Sequence, residues 1–392
     1  MKKLILILSI AAVFAENQLL KKFTSKNLKF SANIYKEISK DEDGSFLVSP
    51  ISVQTAFALL HAGAHGNTAK QISNGFIFPQ NGTELQMIFN DLGPTLQNTG
   101  AYNLSSANKF YLQNNWKIKA SFKAVATEVF NSEVQEIDFS KVDLAVKEIN
   151  QWVEEKTYGK IKDLLSNRDI NDLTTFVLVN AMYFKGNWAQ KFSKHNTKMQ
   201  PFYHTKDKTI DVNMMEMTKR FQYYESTALN AKFLQMNFWG GLMSMTFILP
   251  NEKDGLSTLE GRLDEALDVP TYEWKKVHVK LPKFKVETKI DFKDILIKLG
   301  VIDVFDNGKS DLSNIFENTQ GTLSVDKVIQ KAFINVEEEG TTAAAATAVT
   351  GVFTSSLLIE PPEEPMQFIA DHPLLFILRH PHGILFLGRY IG

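Results

Sequence analysis

His61 and His65 stand four residues apart in HAGAH, a spacing that sets two imidazoles on one face of a helix. A zinc-protease pattern needs a glutamate directly after the first histidine, and Ala62 occupies that place. No third ligand is evident, so the pair reads as two ordinary helix histidines and no metal is expected. Three of the eight histidines, His372, His380 and His382, fall in HPLLFILRHPHG. There Pro373 and Pro381 bracket an apolar strand, and the histidines read as residues of its ends. The chain has no cysteine, which removes thiol nucleophiles and cysteine metal sites. It also has no GxSxG elbow, no Walker loop and no GxGxxG after a strand. Lys275, Lys276, Lys280, Lys283, Lys285 and Lys289 form a basic run that can attract a sulfated polysaccharide, or can simply be the wet face of an alternating strand. An enzyme is the weak reading.

The least ordinary stretch is EEEGTTAAAATAVTGVF, Glu337 to Phe353. It is too poor in large side chains to anchor a core and too apolar for a solvated loop. Read locally it is a helix, since alanine is the best helix former and threonine can cap. A low-complexity linker is the other local reading.

The elements around these residues set the frame. The chain has 392 residues, a net charge of −1, 44% hydrophobic residues and 29 phenylalanines, enough to fill a large core. Near-neutral charge gives no reason to expect nucleic acid or a membrane surface as partner. Lys2 and Lys3 precede the apolar run Leu4 to Val13, and small residues follow at Val13 and Ala15. Residues 1–15 therefore read as a secretory signal peptide, too short to span a bilayer, with a secreted, extracellular chain beginning near Glu16. Export makes Asn81-Gly82-Thr83 and Asn103-Leu104-Ser105 candidate glycan sites. Helical spacing covers Phe23 to Ile38, Pro50 to Ala64, Thr83 to Gln97, Phe122 to Phe130 and Ala145 to Tyr158. TTFVLVNAMYF reads as a strand covered on both faces, and Gly240-Gly241 as a hairpin turn. Helices followed by many strands point to an α+β fold on large antiparallel sheets.

Several segments together resemble the serpins, the serine protease inhibitor family. LSVDKVIQKAFINVEEEGTTAAAATA is similar to the strand and hinge that precede the reactive loop. GSFLVSPISVQTAFALLHAGA, LVNAMYFKGNWAQKF, LPKFKVETKIDFKDILIKLGVIDVF, SDLSNIF and HPLLFILRHPHGILFLGRYIG resemble other family segments in order. The resemblance spans Glu16 to Gly392 and implies one domain, 16–392. It implies about nine helices packed on three β-sheets, with a large central sheet A and an exposed reactive-centre loop at about 338–365. It is to an inhibitory-type, secreted, invertebrate-like member, a monomer that needs no cofactor and is not an enzyme. The implied partner is a target serine protease, held as a covalent acyl complex. The cut loop enters the sheet as a new strand, and about fourteen residues at ~3.3 Å each carry the protease roughly 46 Å.

The resemblance also assigns residues. Glu338, Gly340, Thr341, Ala343, Ala344, Ala345 and Ala346 form the hinge, with Gly340 the swivel. Thr341, Ala343, Ala345, Thr347, Val349 and Gly351 would face the core of the inserted strand, and all are small or uncharged. Counting fourteen residues from Gly340 puts the scissile bond at Thr354-Ser355, with Phe353 as the alternative and Leu357 and Leu358 as further cleavage points. Thr354 suits an elastase-like pocket and Phe353 a chymotrypsin-like one; no basic residue lies between Gly340 and Pro365, which argues against trypsin-like targets. Ser49, Ser52 and Asn180 match the polar cluster beneath the strands that part, where Gln330 replaces the family's histidine. Trp188 matches the tryptophan under the top of the sheet. Lys283 and Glu338 match a pair bridging the hinge, worth ~0–1 kcal/mol if exposed. The helix that binds heparin in some members corresponds to Thr83 to Gln97 and has no lysine or arginine. Glycosaminoglycan binding is left to the lysine run, and weak. The alternative is a non-inhibitory serpin with a carrier, storage or chaperone role.

Overall fold

The computed structural model describes residues 2–96, 98, 101–205, 207–268, 271–317, 323–341 and 364–392, with side chains from residue 18 onward. Among these residues are nine α-helices: α1 (Lys2–Ile38), α2 (Pro50–Gly63), α3 (Gly66–Gly75), α4 (Gly82–Thr95), α5 (Ala120–Glu128), α6 (Val142–Lys156), α7 (Leu256–Gly261), α8 (Leu263–Leu267) and α9 (Lys293–Lys298). The described residues fall into two compact units. One lies within Met1–Phe184, Glu287–Phe333 and Arg379–Gly388, the other within Lys185–Val286, Ile334–Leu378 and Arg389–Gly392.

The first unit is built on a sheet of β2 (Tyr102–Gln113), β3 (Glu133–Ile137), β4 (Phe176–Asn187), β10 (Phe284–Asp291) and β11 (Lys327–Glu337), most of whose residues lie here. Their order is β10-β11-β4-β2-β3, and β1 (Phe46–Val48) pairs separately with β15 (Gly383–Tyr390). Strands β4 and β11 run parallel, with Lys327 opposite Val177 through to Phe333 opposite Tyr183. Side chains of a strand alternate in direction, so this register gives the seam two unlike faces. Val177, Val179 and Ala181 join Ile329 and Phe333 beneath Ala145, Ile149 and Val153 of α6. Asn180 and Gln330, also opposite one another, lie on the other face. The run read as a doubly covered strand is β4, buried through Phe184.

Helix α2 is buried along nearly its whole length, and Ile315 approaches its Gly63 so closely that a Cβ there would fall 2.3 Å from Ile315 Cγ1. Helix α1 extends back to Lys2, through the segment read as a leader. Among the described residues no helix is long and apolar enough to cross a membrane. Phe76 stacks between Phe30 and Phe57, at 4.7 and 4.4 Å between ring centroids.

The second unit holds β5 (Lys198–Tyr203), β6 (Thr209–Ser226), β7 (Ala231–Asn237), β8 (Ser244–Pro250), β9 (Glu273–Pro282), β12 (Gly340–Thr341), β13 (Met366–Ile369) and β14 (Leu374–His380). Strand β6, 18 residues long, pairs with β5 near its start, with β9 along its middle and with β7 at its end. Strand β6 thus joins β5, β7 and β9 into one continuous sheet. Trp239 follows β7 and leads into the hairpin expected at Gly240-Gly241, where Phe238 N donates to Met243 O at 2.9 Å.

Candidate functional site

The residues singled out by sequence fall into two constellations, one in each unit.

In the first, a buried polar chain crosses the β4–β11 seam. Gln330 Nε2 donates to Asn180 Oδ1 at 2.7 Å and to the Ser49 carbonyl at 3.0 Å, while Gln330 Oε1 accepts from Ser49 N at 2.8 Å. Asn180 Nδ2 donates to Ser52 Oγ at 2.6 Å and also to Asn108 Oδ1. The Ser52 and Ser106 hydroxyls lie 3.3 Å apart. Ser49, Ser52, Asn108, Asn180 and Gln330 are each at most 3% exposed. The glutamine therefore uses both its donor and its acceptor, and this chain of bonds has no titrating member. Asn108 and Ser106 were missed. Their signal is slight: two polar residues, two apart, in a strand that also carries Asn103, Ser105, Lys109 and Gln113.

The seam is closed here. Neighbouring strands lie about 4.8 Å apart, so a strand placed between β4 and β11 must roughly double that spacing. The Gln330–Asn180 bond spans the gap directly and must break first.

The second constellation is the hinge. Segment 188–192 clasps three successive carbonyls: Trp188 Nε1 donates to Glu337 O at 2.9 Å, Trp188 N to Glu339 O at 2.8 Å and Phe192 N to Glu338 O at 2.9 Å. The Trp188 indole is itself fixed by stacking on Phe238, with ring centroids 4.3 Å apart. Glu338 is only 4% exposed, so its pair with Lys283 (2.9 Å) is not the exposed bridge that was considered. Thr197 Oγ1 adds a hydrogen bond at 2.8 Å. Burial opposes the Glu338 charge. The Lys283 hydrogen bond, its own backbone N–H, the Thr197 hydroxyl and the Lys283 charge more than offset that, so the carboxyl is held below the usual carboxylate range. Glu339 pairs with Lys194 at 3.1 Å. These contacts hold Glu337, Glu338 and Glu339 in place, and neither Thr197 nor Phe192 announces them in the sequence.

Beyond them the chain turns and starts a strand. Gly340 pairs with Asn187 on β4 and Glu337 on β11, and Thr341 with Gly186 and Val336, antiparallel to both. Gly340 has φ +137°, and a Cβ there would fall 2.0 Å from the Gly186 carbonyl oxygen and 2.7 Å from Asn187 Cα. Only glycine fits. Thr341 is fully buried, and its Oγ1 accepts from Gly186 N at 2.7 Å. Ala343, Ala344, Ala345, Ala346, Phe353, Thr354 and Ser355 lie outside the described residues.

The remaining candidates are separate. His61 is buried in the last turn of α2, where burial lowers its pKa, whereas His65 is exposed before α3. Among the described residues no three metal-binding side chains cluster. Within the basic run, Lys275 pairs with Glu273, Lys280 with Glu216, Lys283 with Glu338 and Lys289 with Asp169, which leaves it far from a free cationic strip. Asn81 is exposed and caps α4 by accepting from Thr83 N at 2.9 Å. Asn103 is exposed on β2, next but one to the buried Ser105.

The model of the family described as Serpin (serine protease inhibitor) matches residues 25–392. Antichymotrypsin-2 of Bombyx mori is 36% identical over 369 residues, 93% of this chain and 96% of that protein. The leukocyte elastase inhibitor of Homo sapiens is 35% identical over 385 residues, 95% and 99% of the two chains. Among solved structures, Serpin48, a highly specific serpin of the insect Tenebrio molitor, superposes with a TM-score of 0.88 at 35% identity, covering 95% of this chain and 98% of that one.

Proposed function

This chain belongs to the serpin family, and on that premise we propose that it is a secreted suicide-substrate inhibitor of serine proteases with elastase- or chymotrypsin-like specificity. The observation that carries the reading is the start of a strand at Gly340-Thr341, hydrogen-bonded between the ends of β4 and β11, while the same two strands pair directly with each other further along. The segment that follows has the composition to continue that strand. Cleavage within it, at Thr354-Ser355 or beside Phe353, releases its far end. The freed chain then zips between β4 and β11 and carries the acyl-linked protease with it. Residues 16–392 act as one functional domain in this reading, and residues 1–15 serve as the leader, with glycans carried on Asn81 and Asn103.

The residues take roles accordingly. Glu338, with Lys283 and Thr197, fixes the base of the hinge, and Gly340 admits the strand. Ser49, Ser52, Asn180 and Gln330 hold the seam shut until then. Insertion adds hydrogen bonds on both sides of a strand, and at ~0.5–1.5 kcal/mol each the release is on the order of 10 kcal/mol. Names of relatives such as antichymotrypsin and elastase inhibitor agree with a loop that offers Phe353 and Thr354 and no basic residue.

The test is complex formation. Mixing the chain with chymotrypsin, elastase and trypsin should give a protease–inhibitor band that survives denaturation with one of the first two. The mass of the released C-terminal fragment then fixes the bond cut. Cleavage by all three without such a band would favour the carrier or storage role instead. A Thr341→Arg variant should still be cut but form little complex, because an inward charge stalls the strand.

A further inference from the structure

The first unit carries a cavity of about 270 Å³ where the early turns of α1 meet the turn before α4. Its apolar lining is Leu19, Phe23, Pro79 and Ile88, with Phe23 and Ile88 almost fully buried. Lys22 and Lys26 stand on its α1 side, one helical turn apart. Lys22 is exposed, Lys26 is half-buried, and neither has an ion-pair partner among the described residues. Across the cavity are Gln80 and Glu84. The local chain path explains the void. Ile77, at φ +57°, lets Phe76 and Phe78 both enter the core, and the chain then passes through Pro79 and Gln80 before Asn81 caps α4.

We propose that this cavity binds a small amphipathic anion, a medium-chain carboxylate or alkyl sulfate, with its chain against the half-buried Leu19 and Pro79 and its head group between Lys22 and Lys26. The volume sets the chain length. At roughly 30 Å³ per heavy atom, the space of a water in the liquid, 270 Å³ holds about nine heavy atoms. That fits the eight-carbon chain of octanoate with its two carboxylate oxygens outside, between the lysines, and excludes a diacyl lipid. The charges set the head group: Lys22 and Lys26, one turn apart on α1, are cations of the lining that no ion pair among the described residues neutralises. A sulfated polysaccharide suits the site poorly, because it has nothing to place on the apolar lining. Among the described residues the lining starts at Leu19, beyond residues 1–15.

Calorimetric titration of the whole chain with octanoate tests this, with octanol and acetate as probes lacking the charge or the chain. The expected result is saturable one-to-one binding of octanoate, at least tenfold tighter than either control and weaker at high salt. The double variant Lys22→Ala/Lys26→Ala should lose at least tenfold. Leu19→Trp, placed at the half-exposed rim so that the fold is kept, should fill the space and abolish binding. Octanol binding as tightly as octanoate would overturn the role of the lysines. Acetate binding as tightly would overturn the role of the lining. No saturable binding, or binding that both variants leave unchanged, would overturn the site itself.

Discussion

Replacing Gly340 with alanine adds one methyl group at the point where the hinge enters the sheet. Its carbon would meet the Gly186 carbonyl oxygen at 2.0 Å and Asn187 Cα at 2.7 Å. Both are backbone atoms, so no side chain can swing aside, and the strand or the hinge must shift by about 1 Å to restore ordinary contact. The φ of +137° adds a backbone strain of ~1–3 kcal/mol for any residue with a Cβ. The uncut protein has a way out: it can release Gly340 and Thr341 and forfeit a few hydrogen bonds at ~0.5–1.5 kcal/mol each. An inserting strand has none, because Gly340 must occupy that position for the rest to follow. The strain then falls on the insertion step, and at about 1.4 kcal/mol per tenfold it slows that step by roughly 5- to 150-fold. Deacylation is untouched, so the acyl-enzyme escapes more often. The assay is titration of a fixed amount of chymotrypsin or elastase with inhibitor. The variant should need several times more inhibitor per protease while melting cooperatively and being cut at the same bond. An unchanged stoichiometry in a folded Gly340→Ala protein would refute the role given to this glycine.

Other outcomes follow from the same geometry. Gln330→His should keep the seam closed at neutral pH, since a neutral imidazole both donates and accepts, but protonation removes its acceptor for Ser49 N; heat stability of the variant should fall below about pH 6.5 relative to the native chain. Asn180→Ala strips partners from Gln330, Ser52 and Asn108 together, and at ~1–3 kcal/mol per orphaned buried group should lower the denaturant midpoint and speed self-association through an opened sheet. Because the Glu338 carboxyl titrates below its unfolded value, the stabilisation it gives is complete above the ordinary carboxylate pKa of about 4.3 and is lost as pH falls through the lowered value. The protection of the Glu338 and Glu339 amides against exchange, with the intrinsic pH dependence of the rate divided out, should therefore fall in acid, and Glu338→Gln should flatten that dependence. On a heparin column the chain should elute at low salt, since four lysines of the basic run are already paired.

The legible part of this protein was its composition and order of elements. Periodicity placed α2, α4, α5 and α6 within a few residues, and the unbroken apolar run announced β4 as a strand covered on both faces. The hinge was legible as an anomaly, small residues after three acids, but its local propensity pointed to a helix. The extended start at Gly340-Thr341 comes from pairing with β4 and β11, partners that no local rule can see. The exposure of Glu338 stayed open in the sequence because its side-chain partners, Thr197 and Lys283, lie far along the chain. Asn108 lies 72 residues from Asn180 in sequence, and only the sheet brings their amides together. The need for glycine at 340 is likewise a tertiary fact, set by the approach of the Gly186 carbonyl.

The central claim is that the segment after Thr341 can enter between β4 and β11, and melting before and after a single cut tests it without knowing the natural target. A protease that cuts within 342–363 and forms no complex serves to nick the chain. Insertion worth on the order of 10 kcal/mol, divided by an unfolding entropy of about 2.1 cal/mol/K per residue over 392 residues, should raise the melting temperature by roughly 12 °C. A nicked protein that melts at or below the temperature of the intact one would contradict the account.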